Sequence, residues 1–443
     1  MREMRGTRRT SSQEGRKPAP ISRRGFLAGA SGLASTSALA ACASEDHPGS
    51  ATSSASAPSN SGDASDLLQQ AYVDFDGVHQ AGIETPTQAC LNLVGFNLKA
   101  SVDKAGLNRL MRLWTEDARE LCAGRTPLGS VEPEMNAWPA NLTLTVGFGE
   151  RAFEIAAPAK KPGWLRSIPA MKRDALRSEW GQSDLVLQIC SDDPVMCAWA
   201  MRHMTRAAKD YVDTAWVQQG FMNAYGSIPK GQTPRNLFGQ LDGSVNPHDP
   251  EEYAEQVWID NPAGFVGSTS MVVRRIAMNL DEWELLDRRS REEAVGRTLT
   301  DGAPLTGGGE FSEPDLSAVD EYGLPVIDRN SHMARAMPPA DHPEQRFMRR
   351  PYNYNLPPAP ESEELSNAGL IFITFQKDPE TQFIPVLKRL DEADRLNEWI
   401  THIGSAVYWV PPGTSIGETT SGGETPAGAD GQRDSYWGQS VLS

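Results

Sequence analysis

The chain has 443 residues, with 39% apolar and 23% charged residues and a formal net charge of −16. That is more than one ordinary core holds and too rich in apolar residues for a disordered protein. Residues 1–41 carry eight Lys/Arg against two acids, so the remainder is more acidic still, and nucleic acid is disfavoured as a partner.

The N-terminus reads as an address rather than a fold. A basic stretch ends in Ser22-Arg23-Arg24-Gly25-Phe26-Leu27, and a bland Ala/Gly/Ser-rich apolar run continues to Ala41. Paired arginines directly before Phe-Leu resemble a twin-arginine export signal. The run closes with Leu39-Ala40-Ala41-Cys42, which resembles a bacterial lipobox with Cys42 as the lipidated residue. The expectation is therefore a signal over 1–41 and a Ser/Ala/Gly/Pro-rich tether over 42–66. The twin-arginine translocase would be a partner during export. The protein would sit as a membrane-anchored lipoprotein outside the cytoplasmic membrane, or, without lipidation, be periplasmic or secreted. Past this segment no apolar run has the length of a membrane-spanning helix.

The body carries two similar halves. An apolar strand over 88–98 precedes a helix over 102–121, and a strand from Asp184 runs to Asp193-Pro194, followed by a helical pattern over 194–211. The second half repeats this: a strand over 268–277, a helix over 280–297, a strand from Gly369 to Asp378-Pro379 and a helical pattern over 380–402. Aspartate before proline caps a helix and starts its first turn. Strand–helix–strand–strand–helix, given twice, predicts a duplicated α+β unit with antiparallel sheets, the halves spanning 67–230 and 231–415. A polar Gly/Pro-rich excursion, 300–330, interrupts the second half. The Gly/Ser/Thr-rich end, 416–443, is expected to be loosely ordered. Cys90, Cys122, Cys190 and Cys197 have no metal-binding spacing. His203 reads as solvated or structural, and His402 as the cation closing the last helix.

Two segments stand out for chemistry. Gly239-Gln240-Leu241-Asp242-Gly243 places a carboxylate in a Gly-bracketed loop, followed by Ser244, Val245 and Asn246; an ordinary Asx-turn is the plainer reading. Ser331-His332-Met333-Ala334-Arg335 is followed by Met348-Arg349-Arg350-Pro351-Tyr352, where Phe347, Met348, Tyr352 and Tyr354 suggest that the arginines are buried. The HExxH, EF-hand, GxSxG and P-loop patterns are missing, which disfavours zinc, calcium, serine-hydrolase and nucleotide chemistry.

Taken together, these segments resemble the dye-decolourising (DyP-type) haem peroxidase family, and the exported subgroup that includes deferrochelatase-like proteins. Gly239–Gly243 matches its GxxDG signature, the His332 segment its proximal-histidine region, and Met348–Tyr352 its distal-arginine segment. Gly77–Pro86, Val272–Ile276, Gly302–Thr306 and Gly404–Val407 extend the likeness in order over about 65–415. Leu241, Met348 and Pro351 depart from the usual residues, and none of the three is the Asp, the His or the Arg; Pro351 puts the Arg349 backbone in question. The resemblance implies two ferredoxin-like domains, the second binding haem b. It implies His332 as the proximal iron ligand, Gly243, Ser244, Val245 and Arg349 against the haem, and Asp242 and Arg349 as the catalytic distal pair. Peroxide would be reduced through a ferryl porphyrin radical, which then oxidises dyes, phenolic compounds or other organic donors. Bulky donors would deliver electrons through surface Trp or Tyr. The alternatives are a deferrochelatase working with iron-uptake partners and a non-enzymatic envelope haem carrier; a homo-oligomer is left open. Chemistry near His332 offers Asp328 as a neighbouring carboxylate, not favoured as its anchor.

Overall fold

The computed structural model describes residues 67–415 and 434–443. The expected signal, Cys42 and the expected tether lie outside the described residues. The described residues belong to one compact unit.

The first half runs β1 (Cys90–Leu98), α1 (Lys104–Cys122), β2 (Thr143–Phe148), α2 (Glu150–Ala156), β3 (Leu185–Ser191), α3 (Pro194–Ala208) and β4 (Val212–Phe221). Asp103 caps α1 by accepting the Gly106 N–H at 2.7 Å. Leu107, Leu110, Met111, Trp114, Ala118 and Leu121 then recur at helical spacing, and all are buried. Asp193 caps α3, with Pro194 in its first turn, as the sequence predicts. All pairings are antiparallel, in the order β2-β3-β1-β4.

The second half begins with α4 (Pro250–Gln256), then β5 (Thr269–Met278), α5 (Leu280–Glu284), α6 (Arg288–Val295), α7 (His332–Ala336), β6 (Met348–Arg349), β7 (Tyr352–Leu356), β8 (Asn367–Gln376), α8 (Phe383–Ala393) and β9 (Ile400–Val410). Its order is β9-β5-β8-β7, with the short β6 also on β8. Each half therefore places its fourth strand beside its first and its third beside its second. The duplication holds as two ferredoxin-like units. Single bridges, Phe148–Trp409 and Phe221–Asn353, join the sheets edge to edge. Strand alternation sends Leu91, Leu93 and Val186 of one half and Val273, Ile371 and Tyr408 of the other into a shared interior cluster. Val272 and Val407 point the opposite way, into the helix-covered layer.

Four expectations are corrected. The helix over 280–297 is two short helices. The helix over 380–402 starts only at Phe383, because the Gln382 side chain accepts from Asp378 N–H and donates to the Gln256 and Arg346 carbonyls, holding a turn there. It ends at Ala393, where Asp394 caps a separate 3₁₀ turn, Arg395–Glu398. His402 therefore lies in β9, not at a helix end, and is paired with β5. The end expected to be loosely ordered is ordered over its described residues: Tyr436, Trp437, Val441 and Leu442 are buried, with a final helix α9 (Gln439–Leu442). Those apolar side chains cover α1, which the Gly/Ser/Thr composition upstream does not reveal. His203 is buried and bonded to Asp117 at 3.0 Å, a structural rather than a solvated histidine. Among the described residues no helix is long and apolar enough to cross a membrane.

Candidate active site

Gly296 ends α6 at φ +91°, a conformation that side-chain-bearing residues rarely adopt. A Cβ there would lie 2.8 Å from Ser331 Oγ, so α7 packs directly against this turn. Ser331, fully buried, caps α7 through the Ala334 N–H. His332 is consequently the first residue of a short helix with a fixed start.

His332 Nδ1 lies 2.6 Å from Asp394 Oδ2. The other Asp394 oxygen accepts the Leu396 N–H at 2.9 Å, so the carboxylate cannot turn away. Burial lowers the proton affinity of this imidazole, but the charge and hydrogen bond of Asp394 outweigh it, and the net shift is upward from 6.5. The Arg349 and Asp242 charges also act on it, in opposite directions. The His332 side chain keeps 32% of its surface accessible, so the ring is not sealed in the core. Among the described residues its Nε2 has no hydrogen-bond partner. An imidazole anchored at Nδ1 by a carboxylate and open at Nε2 is the arrangement of a metal-ligating histidine.

The opposing groups come from two segments. Asp242 N–H bonds to the Pro234 carbonyl, and Asp242 Oδ2 accepts from Asn236 Nδ2 at 3.2 Å. Gly243 follows at φ +138°. Arg349, on β6, brings Nη1 to 3.5 Å from Asp242 Oδ1; their side chains are 20% and 9% exposed. Arg349 Nε is buried without a partner. The structure thus brings Asp242, Arg349 and His332 within electrostatic reach of one another. Of the other expected haem contacts, Gly243 and the exposed Val245 adjoin Asp242, while Ser244 directs its hydroxyl to Glu310 at 2.8 Å. Arg297 donates to the Glu310 and Gly302 carbonyls, each at 2.7 Å, pinning the excursion that carries Glu310. Burial, then the Arg349 charge, lowers the Arg297 pKa.

Sequence reasoning missed Asp394, Glu310, Arg297 and the bonding of Asn246. Asp328 pairs with Arg395 at 2.8 Å. Nothing local marks Asp394 as the anchor, because it reads as an ordinary cap 62 residues from His332.

Known proteins resemble this chain along most of its length. Family models described as "Dyp-type peroxidase, N-terminal" and "Dyp-type peroxidase, C-terminal" match residues 80–222 and 233–415. A dye-decolorizing peroxidase of Thermobifida fusca is 34% identical over 411 residues, covering 88% of this chain and 94% of its own. A deferrochelatase of Yersinia pestis is 33% identical over 362 residues, covering 77% and 82%. The crystal structure of a DyP-type peroxidase from Cellulomonas bogoriensis superimposes with a TM-score of 0.78 at 43% identity, covering 85% of this chain and 99% of that one.

Proposed function

The chain belongs to the DyP-type peroxidase family, and from that premise we propose that it is a haem-dependent peroxidase in which His332 holds the iron while Asp242 and Arg349 act on peroxide. The observation that carries this reading is the combination of a carboxylate-anchored imidazole, open at Nε2, with a carboxylate–guanidinium pair at 3.5 Å whose charges reach it.

The residues fit haem b. His332 Nε2 is the donor for iron, and Asp394 fixes its tautomer and raises its basicity. Gly243, Ser244 and Val245 supply the adjoining loop. Haem, when bound, supplies a redox-active iron and a conjugated macrocycle able to hold oxidising equivalents drawn from H₂O₂ until an organic donor returns electrons. Asp242 accepts the proton from one peroxide oxygen and returns it to the other, which leaves as water. Arg349, always cationic, stabilises the negative charge that builds on the leaving oxygen. Asn236 holds Asp242 Oδ2, and Oδ1, the oxygen that faces Arg349, takes the proton. A carrier has no use for this pair, which supports catalysis over storage.

A deferrochelatase role with iron-uptake partners is the second reading; the relatives of that name favour it. Export rests on Arg23-Arg24-Gly25-Phe26-Leu27, and anchoring as an envelope lipoprotein on Leu39-Ala40-Ala41-Cys42.

His332→Ala decides the proximal assignment. The purified parent should show a strong haem absorption band and peroxide-dependent dye turnover, and the variant should retain little or no haem. Full haem occupancy with an unchanged band in the variant would remove His332 from the site.

A further inference from the structure

β6 is only two residues long and pairs with β8 alone. Its ladder skips the Arg349 backbone: the next residue, Arg350, donates its N–H to the Ile373 carbonyl at 2.8 Å. Arg349's own N–H and C=O therefore face away from β8 and need other partners. Pro351, two residues on, has no N–H with which to extend an edge.

Asn246 meets both groups. Its Oδ1 accepts the Arg349 N–H at 3.0 Å, and its Nδ2 donates to the Arg349 carbonyl at 2.7 Å. A carboxamide offers a donor and an acceptor side by side, as the edge of a strand does, and only one orientation of this amide satisfies both bonds. Asn246 is itself fixed by a tight turn, its N–H bonding to the Gly243 carbonyl at 3.0 Å. The same turn begins next to Asp242.

We propose that Asn246 is the positioning residue of the distal pair: one turn carries both the Asp242 carboxylate and the two-point clamp that sets where Arg349 starts. The separation of 3.5 Å between Asp242 and Arg349 is then held by side-chain–backbone bonds that span 103 residues of sequence. The inference rests on Asp242 and Arg349 being the distal pair. Asn246 touches no reacting atom and acts only through Arg349. A displacement of about 1 Å in a catalytic group costs on the order of 10²-fold in rate.

The test is a double-mutant cycle on haem-loaded protein, using Asn246→Ala, Arg349→Leu and the double variant. The readouts are the rapid-mixing rate with H₂O₂ and the fluoride affinity of the ferric form by absorption. Asn246→Asp serves as an isosteric second variant, keeping the acceptor for the Arg349 N–H but setting a carboxylate oxygen against its carbonyl. Each Asn246 variant should slow the peroxide reaction by about 10- to 100-fold. Each should also weaken fluoride binding by about tenfold, the equivalent of one charge-assisted hydrogen bond. In the Arg349→Leu background, Asn246→Ala should then change neither readout further. The inference is overturned if the Asn246 variants match the parent while Arg349→Leu is slow, or if Asn246→Ala is as damaging without Arg349 as with it. If Arg349→Leu is itself silent, the distal assignment beneath the inference fails instead.

Discussion

His402 sits in β9 with Nδ1 accepting from Arg274 Nε at 3.2 Å, while the other end of that fully buried arginine pairs with Asp174. Burial, then the Arg274 and His332 charges, pushes this imidazole down from 6.5 to about 3. In the unfolded chain it titrates near ~6.5. Between these values the unfolded state binds the extra proton, so this residue's contribution is complete above ~6.5 and is lost as pH falls toward 3. The loss amounts to up to about 5 kcal/mol, at ~1.4 kcal/mol per pH unit. His402→Gln removes the titration, and its unfolding free energy should fall less than the parent's between about pH 7 and pH 4.5 in denaturant melts. Equal losses would show that His402 does not contribute to the acid dependence. The same residue shows where local reading stops. His402 follows a stretch with helical composition, and only pairing with β5 makes it a strand residue. Asp242, His332 and Arg349 were legible because each sits in a contiguous motif. Asp394 and Asn246 were not, since their decisive partners lie 62 and 103 residues away.

At the scale of elements, the C-terminal segment is the clearest departure from composition. Trp437, 1% exposed, packs against Phe75 with ring centroids 5.3 Å apart, and its N–H bonds to Thr115 Oγ1 on α1. Arg112 lies over the Tyr436 ring at 4.0 Å. Ser415 N–H bonds to the Asp434 carbonyl at 2.9 Å, closing the segment onto the end of β9's extension. Trp437→Ala should destabilise the protein by about 3–5 kcal/mol, the range for deleting a buried large aromatic, read as a lower denaturation midpoint at constant slope. A change below about 0.5 kcal/mol, the usual size of a surface substitution, would mean that the segment is not docked in solution. The duplicated strand–helix–strand–strand–helix order was readable because both halves keep an apolar strand running into Asp-Pro. The order implied β2 and β7 without giving their ranges, and the fourth strands β4 and β9 were not picked out, because β-pairing rather than local propensity decides them. The Asp-Pro signal placed α3 well and α8 poorly, where the bonds of Gln382 hold a turn over the residues that the cap would have started.

At the scale of the whole molecule, the acidic body, the joined pair of ferredoxin-like sheets and the family to which the chain belongs describe an enzyme that takes peroxide and a separate electron donor. Its N-terminus supports the export reading. Arg23→Lys with Arg24→Lys should leave precursor inside the cell, and Cys42→Ser should move mature protein from the membrane fraction to the soluble one; a Cys42→Ser protein that stays with membranes would exclude that cysteine as the anchor. The central claim concerns the distal pair, and rapid mixing of haem-loaded protein with H₂O₂, followed by absorption, tests it most directly. Both groups act while the O–O bond breaks, so their loss should slow the reaction without releasing haem. Asp242→Ala should slow it by about 10²–10⁴-fold and Arg349→Leu by about 10²–10³-fold, with parent haem content in each. Haem-loaded variants that both react at the parent rate would contradict the account.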